Sequence, residues 1–487
     1  MRDKPERTTL APGLEISRLV TGLWQIADME RDGRKLDLDG LAREMAAYAA
    51  AGFDTFDMAD HYGSAEDVAG RFNALRRGDD GAAILTKWCP APGAMSAEKV
   101  RSAVAHAKQR LQTPKIDLMQ FHWWIFQNPA WIDALKELAE LRRKGAIGHI
   151  GTTNFDTDHL RLLVNHGVEI ASNQVCFSLL DRRAAGRMSE LCRQSGLGLL
   201  AYGALAGGLL TGKWHGKTRP ADPDIADWST MKYLRFVDQI GGWDVLQRIL
   251  DALSLIARKH DVSIGNVATR WLLDQEAVAG VIIGARLGER EHRADNLRVF
   301  AFALDDDDHR RIDEVLSCTV PIPGDCGDEY RRPPFLTASG DLSHHLESFS
   351  KVYSAQPMPA KPDRLRIDTG SIWEPLAGYS RAVRVGDRIL VSGTTATHGA
   401  GEVIAAGSAE SQTVYILDKI RASIESLGGT IEDIVRTRVY LRDQGRWEEV
   451  SKVHGRVLGH VRPANTLLEV SALIGKYEVE IEAEAIV

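Results

Sequence analysis

Short apolar runs alternate with stretches of helical period from residue 17 to about residue 285 of the 487-residue chain. The runs occupy 17–26, 53–59, 82–88, 116–123, 149–155, 171–178, 196–205 and 280–285. Between them, segments such as 97–111, 131–144 and 157–165 space their apolar residues three and four apart, which predicts amphipathic helices. Strands separated by helices must run parallel, because each crossover returns the chain to the same end of the sheet. About eight such units in roughly 300 residues predict an α/β fold, a (β/α)8 TIM barrel. The alternative, a doubly wound open sheet, lacks the G-x-G-x-x-G turn expected after its first strand. Residues 207–242 interrupt the alternation with Gly, Pro, Trp and Asp. Their position predicts a long loop over the barrel mouth.

The pattern collapses between Pro321 and Pro375, where prolines recur amid Gly, Asp and Ser. That composition predicts a linker or wrapping segment over 331–375 and divides the chain into 1–330 and 376–487. A second pattern then begins, with strands over 382–392, 434–441, 466–470 and 478–487 and helices over 408–427 and 447–458. It predicts a smaller α+β domain. In its last strand Glu478, Glu480, Glu482 and Glu484 alternate with apolar residues, the pattern of a strand with one wet face.

Composition narrows the function. The chain is 44% hydrophobic and 26% charged, with a formal net charge of -7. Its charges are interspersed, which argues against a nucleic-acid or anionic-membrane partner. The longest single-sign run, Asp305 to Asp308, reads as a helix start. Five cysteines show no CxxC pair and no metal-ligand spacing, so reduced thiols in the cytoplasm and no metal are expected. The amino-terminal residues lack the apolar core of a signal peptide, and no run approaches the roughly 18 apolar residues of a membrane span.

Chemistry belongs at the carboxyl ends of barrel strands. The second run ends in FDMADHYG, giving Asp57 and Tyr62; the third ends in LTKW, giving Lys87; the fourth ends in MQFHWW, giving His122. These four suit carbonyl reduction. A phenol keeps its proton at neutral pH, and a nearby ammonium draws its pKa towards the working range. The carboxylate pairs the ammonium, and the imidazole hydrogen-bonds the developing oxyanion. The hydride must come from a cofactor. Asp60 and His61 read as loop residues, and Trp24, Trp88, Trp123 and Trp124 as packing.

With these motifs, residues 10–330 resemble the aldo-keto reductases: FDMADHYGSAE, LTKW, DLMQFHW, IGTTNF, SNQVCFSLL and LLAYGALAGGLLTGK follow that family's order. The resemblance implies that Thr153, Asn154 and Gln174 hold a nicotinamide carboxamide and that Tyr202 stacks on the ring. In IIGARLGEREHRADNL it implies that Arg286 meets a 2'-phosphate and Asn296 the adenine, so the cofactor is NADPH/NADP+. His292 stands where that family often places another polar adenosine contact.

Residues 378–487 resemble the Rid/YjgF family of reactive-intermediate deaminases, through GYSRAVRVGDRILVSGTTA, DIVRTRVYLRD, RPANTLLEVSAL and EVEIEAEAIV. The resemblance implies a chorismate-mutase-like domain, a homotrimer with clefts between subunits, and Tyr379, Asn465 and Glu480 as cleft residues. Asn465 stands where the deaminases carry an arginine that holds the substrate carboxylate, which counts against imine hydrolysis here. The expected function is NADP(H)-dependent reduction of a small aldehyde or ketone, or the reverse alcohol oxidation, with the second domain trimerising the enzyme and binding or hydrolysing an imine. Coupled imine hydrolysis and reduction is a bolder version. The competing reading is a redox-sensing protein that binds nicotinamide and a metabolite with little turnover.

Overall fold

The computed structural model of the chain describes residues 4–30, 33–76, 81–221, 228–331 and 349–487. It begins with an antiparallel hairpin, β1 (Arg7–Ala11) and β2 (Leu14–Ser17). Eight parallel strands follow: β3 (Leu19–Gly22), β4 (Thr55–Asp57), β5 (Ala83–Trp88), β6 (Ile116–His122), β7 (Ile147–Thr153), β8 (Ser172–Cys176), β9 (Gly198–Tyr202) and β10 (Val278–Gly284). They close in chain order, with β10 pairing back onto β3, so the barrel expected from the alternation is present. Leu10, Leu14 and Ile16 of the hairpin pack against Val20, Leu85, Leu118, Leu200 and Ile282. That plug seals the amino end of the barrel and leaves the carboxyl ends as its open mouth.

The outer layer comprises α1 (Trp24–Met29), α2 (Leu38–Ala50), α3 (Ala65–Leu75), α4 (Ala97–Arg110), α5 (Ala130–Arg143), α6 (Thr157–Asn165), α7 (Arg187–Ser195), α8 (Trp228–Gln239), α9 (Trp243–Lys259), α10 (Ile264–Leu273), α11 (Arg293–Leu297) and α12 (Asp306–Ser317). Several begin where a side chain can accept an otherwise orphaned amide: Asp37 from Gly40, Ser96 from Lys99, Asp156 from His159, Ser263 from Asn266. The acidic run at 305–308 is a helix start, in which Asp305 and Asp308 cap each other's backbone.

Three stretches depart from the sequence reading. The expected loop 207–242 contains α8, whose Tyr233, Leu234, Phe236 and Val237 are buried; residues 222–227 lie outside the described residues. The helix seats closely because Gly203 (φ 73°) and Gly207 (φ 62°) lack side chains. A Cβ there would lie 2.3 Å from Tyr233 Oη and 2.6 Å from the Ser229 carbonyl oxygen. In the expected linker, β11 (Gln356–Met358) and β12 (Lys361–Ile367) join the sheet of the second domain; residues 332–348 lie outside the described residues. The strand expected over 382–392 is a hairpin, β13 (Ala382–Val385) and β14 (Arg388–Thr394), turned at Gly386 with φ 61°.

After α13 (Trp373–Ala377) the second domain adds a small pair, β15 (Thr397–His398) and β16 (Glu402–Val403), then α14 (Ala409–Ser426), β17 (Ile434–Leu441), α15 (Trp447–Leu458), β18 (Ala464–Glu469) and β19 (Val479–Ile486). Its seven-stranded sheet runs β11-β12-β13-β14-β19-β17-β18. In β19 Val479, Ile481, Ala483 and Ala485 are buried and Glu480, Glu482 and Glu484 are not, as the alternation predicts, whereas Glu478, just before the strand, is buried and pairs with Arg442.

α14 docks on α6 of the barrel. His159 on α6 lies 2.7 Å from Asp156 and 2.7 Å from Asp418 on α14. Arg456 grips Asp158 through two hydrogen bonds of 2.8 and 2.9 Å, and His398 reaches Asp133 at 2.9 Å. Burial would lower the His159 pKa, but Asp156 and Asp418 outweigh it and hold it at about 10. A base whose pKa rises on folding contributes stability in full below its unfolded pKa of about 6.5 and loses it as the pH climbs through the folded value. Replacing Asp418 with Asn is therefore expected to destabilise the protein at pH 6–7 by about 1–3 kcal/mol. It should also reduce the decline in stability between pH 7 and 10, read from urea midpoints across that range. Equal midpoints for both proteins at every pH would contradict this role.

Candidate active site

Strand ends bring the expected residues to one point. Lys87 at the end of β5 donates from Nζ to Asp57 Oδ2 of β4 at 2.6 Å, and both side chains are almost wholly buried. The other Asp57 oxygen accepts from Gln120 (3.0 Å) and Gln174 (2.7 Å), and Gln174 also donates to Gln120 at 2.9 Å. Four polar side chains from β4, β5, β6 and β8 thus satisfy one another where a lone charge would be costly.

Tyr62 follows β4 in a turn tied down by Asp60 N–H to the Lys87 carbonyl (3.0 Å) and Tyr62 N–H to that of Ala59 (3.1 Å). Its ring packs edge-on against Trp24 with centroids 4.9 Å apart, and Lys87 Nζ lies 4.8 Å from its ring centre. Burial, and then the Asp57 carboxylate, push the phenol pKa well above 10. This differs from the expectation that the ammonium draws it down: burial, the larger cause, and the nearby Asp57 carboxylate both favour the protonated form. The phenol is accordingly a firmly protonated acid.

His122, at the end of β6, has Nδ1 3.3 Å from the Thr153 carbonyl oxygen and 3.5 Å from Asn154 Nδ2. Its Nε2 is buried with no partner among the described residues. Burial, and then the charge of Arg331, hold its pKa well below 6.5, so the ring is neutral. With the proton on Nε2 it donates to a carbonyl oxygen; with the proton on Nδ1 it accepts from an alcohol.

The remaining barrel residues divide. Asn154, in the left-handed region with φ 58°, and Tyr202 line the same cleft and are joined by a 2.8 Å hydrogen bond. Gln174 reaches the cleft with its amide committed to Asp57, and the Thr153 hydroxyl donates to the Gln174 carbonyl at 3.1 Å. Arg286 and Asn296 lie at the far end, where Arg286 is paired with Asp28 and sits 3.5 Å from Glu289. The whole cleft encloses about 1050 Å³ and runs from Tyr62 to Asn296. Trp24 and Trp124 line it, which corrects their reading as packing, whereas Trp88 and Trp123 are core residues.

Several residues of the site were not anticipated. Gln120 was legible: it stands two before His122 and so shares its inward face. Lys232 of α8 and the 325–331 segment had no such signal. Arg183 fastens that segment, donating to Glu329 at 2.7 Å and to the Asp325 carbonyl at 2.8 Å. Arg331 donates to the Asn154 carbonyl at 2.7 Å and to the Trp123 carbonyl at 2.5 Å. Tyr330 is thereby set with its ring centre 5.5 Å from that of His122.

In the second domain Tyr379 Oη accepts from buried Arg381 at 2.9 Å, and Glu480 lies against Gly393, whose carbonyl Arg381 also reaches. Asn465 is elsewhere. On β18 it pairs with Thr437 of β17, with β19 and β17 standing between it and β14, and it lies three residues along from the level of Glu480. Its amide donates to Thr437 Oγ1 at 2.9 Å. One chain therefore does not assemble the expected Tyr379, Asn465 and Glu480 cleft.

Comparison with known proteins agrees with both halves. The Aldo/keto reductase family profile matches residues 18–317, and the Endoribonuclease L-PSP profile matches residues 369–487. A chloroplastic pyridoxal reductase of Arabidopsis thaliana is 25% identical over 62% of this chain and 83% of its own length. An NADH-specific methylglyoxal reductase of Escherichia coli is 29% identical over 40% of this chain and 58% of its own length. A RutC family protein of Pyrococcus abyssi is 31% identical over 23% of this chain and 88% of its own length. Among solved structures, a glycerol dehydrogenase of Gluconobacter oxydans covers 66% of this chain and 98% of itself with a TM-score of 0.54 and 26% identity. The chain belongs to the aldo/keto reductase family through its barrel, to which a domain of the Rid (Endoribonuclease L-PSP) family is fused.

Proposed function

We propose that the barrel reduces a small aldehyde or ketone with NADPH, or runs the reverse oxidation, using Asp57, Tyr62, Lys87 and His122. The observation that carries this reading is the buried Lys87–Asp57 pair set against the ring of Tyr62, beside an unpartnered His122 Nε2. A nicotinamide cofactor fits the cleft: it is long, polar at its far end, and holds the buried Asn266 Oδ1, which has no partner among the described residues. Asn154, Gln174 and Tyr202 would hold the nicotinamide end, with Thr153 positioning Gln174. Asn296 and Arg286 would hold the adenosine end. When bound, the cofactor supplies the hydride. Tyr62 donates the proton to the carbonyl oxygen, His122 orients that oxygen, and Lys87 steadies the phenolate left behind.

Tyr62→Phe is expected to lower kcat by about 10²–10⁴-fold while leaving cofactor binding intact. The check is NADPH oxidation against a panel of carbonyl compounds, with cofactor titration by fluorescence. Cofactor binding without turnover on any substrate by the unaltered protein would favour the redox-sensing reading. Arg286→Ala should raise KM for NADPH by about tenfold or more and leave that for NADH within a factor of about two. Asp28 and Glu289 already engage Arg286, an arrangement that also suits ribose hydroxyls. An equal effect on both cofactors would therefore support NADH.

For the second domain we propose a trimerising role, in the cytoplasm, with ligand clefts between copies. The separation of Asn465 from Tyr379 and Glu480 supports clefts completed by a second chain. So do Leu390, Val435, Leu468 and Ile486, which stand exposed on the sheet. Sedimentation velocity is expected to give three times the chain mass; a monomer would contradict this.

A further inference from the structure

Most buried or half-buried cations of the barrel site have a carboxylate partner: Lys87 has Asp57, and Arg183 has Asp181 and Glu329. Lys232 does not. It projects from α8 into the cleft, and no carboxylate among the described residues lies within 4 Å of its ammonium. It donates to Tyr330 Oη at 3.0 Å and sits 5.1, 5.5 and 5.0 Å from the ring centres of Tyr202, Tyr233 and Tyr330. Glu329, on the same strap, is committed to Arg183 at 2.7 Å and to the Tyr202 hydroxyl at 3.0 Å. Aromatic faces soften the cost of holding an ammonium away from water but do not replace a counter-ion.

A second observation points to the same wall. The indole N–H of Trp124 is buried and has no acceptor among the described residues, although buried donors are nearly always paired. The contrast is next door, where Trp123 gives its N–H to the Ile125 and Asn128 carbonyls at 2.7 and 3.0 Å. The ring of Trp124 lies 4.2 Å from His122 and 6.2 Å from Tyr330, centre to centre. His122, Trp124, Tyr330 and Lys232 thus form one wall of the cleft, with two ring N positions that have no partner among the described residues and an ammonium that touches no carboxylate among them; the charge of Glu329 reaches that ammonium but is shared with Arg183.

We propose that the carbonyl substrate is an oxo acid, whose carboxylate is received by Lys232 on the wall it shares with Trp124 while its carbonyl faces Tyr62 and His122. This rests on the reductase reading and adds the substrate class. A single ammonium and an indole N–H suit a carboxylate. A phosphate ester, with three anionic oxygens, would call for a guanidinium fork or a helix N-terminus, and this wall has neither.

The test compares 4-carboxybenzaldehyde with 4-methylbenzaldehyde in the full-length protein and in its Lys232→Gln and Lys232→Arg variants. In Lys232→Gln the ratio of the two kcat/KM values should fall by about 10–100-fold, chiefly through KM of the carboxylate, and Lys232→Arg should restore most of it. Benzoate binding, titrated by tryptophan fluorescence with cofactor present, should weaken in the same proportion in the Gln variant. An unchanged ratio, or a variant that weakens only cofactor binding, would overturn the proposal. Should the unaltered protein reduce neither aldehyde, the reductase reading fails on its own. Benzoate binding then decides this inference: equal affinity in the unaltered and Gln proteins overturns it.

Discussion

The site depends on one buried ion pair. Lys87 and Asp57 lie 2.6 Å apart, almost wholly buried at the floor of the cleft, and neither charge could be kept there without the other. Removing one partner of such a pair typically costs about 3–5 kcal/mol, because the survivor is left charged and unpaired. The pair is possible only because neighbouring strands of a closed barrel place Asp57, Lys87, Gln120 and Gln174 at one level, so that three donors converge on one carboxylate. Tyr62 then rests over the lysine as a partly buried acid that faces the cleft. The hairpin plug at the opposite end leaves this end as the entrance.

The parts outside the eight strands bear on the same point. The segment at 325–331 is clamped by Arg183 and carries Tyr330 to the side of His122. Arg331 of that segment also rests over Phe126, whose ring in turn stacks on His159 at 3.6 Å. His159 is the residue that Asp418 of the second domain holds. The surface on which the second domain docks is therefore continuous, through stacked rings, with the wall that closes the active-site cleft. Contiguity of this kind places the two within one packed unit.

Much of this was legible in the sequence because it follows from local periodicity. The eight strands, the helix over Thr157–Asn165, the acidic cap before α12 and the strand Ile434–Leu441 are written in spacing and capping residues, and Asp57, Lys87 and His122 in their position at strand ends. What could not be read depends on long-range packing. α8 lies in a Gly- and Pro-containing stretch whose helix is settled by docking over Gly203 and Gly207 rather than by its own pattern. Strands β11 and β12 contain proline and exist through pairing: β12 on β13, and β11 on β12 as the sheet edge. Lys232 and Tyr330 occupy the site through tertiary contacts with no motif around them. The depressed phenol expected from a nearby ammonium fails for a similar reason: the sequence names the lysine but not the burial of the hydroxyl or the nearness of the Asp57 carboxylate.

The central claim, that this buried pair and its phenol serve hydride transfer to a carbonyl, is tested most directly by isotope. A reduced nicotinamide cofactor carrying deuterium at the reactive C4 position is supplied with a carbonyl substrate in ordinary water, and the alcohol is examined by mass spectrometry and NMR. The account predicts one deuterium on the former carbonyl carbon, from one face of the cofactor only. Product without deuterium at that carbon, or consumption of cofactor with no alcohol formed, would contradict it.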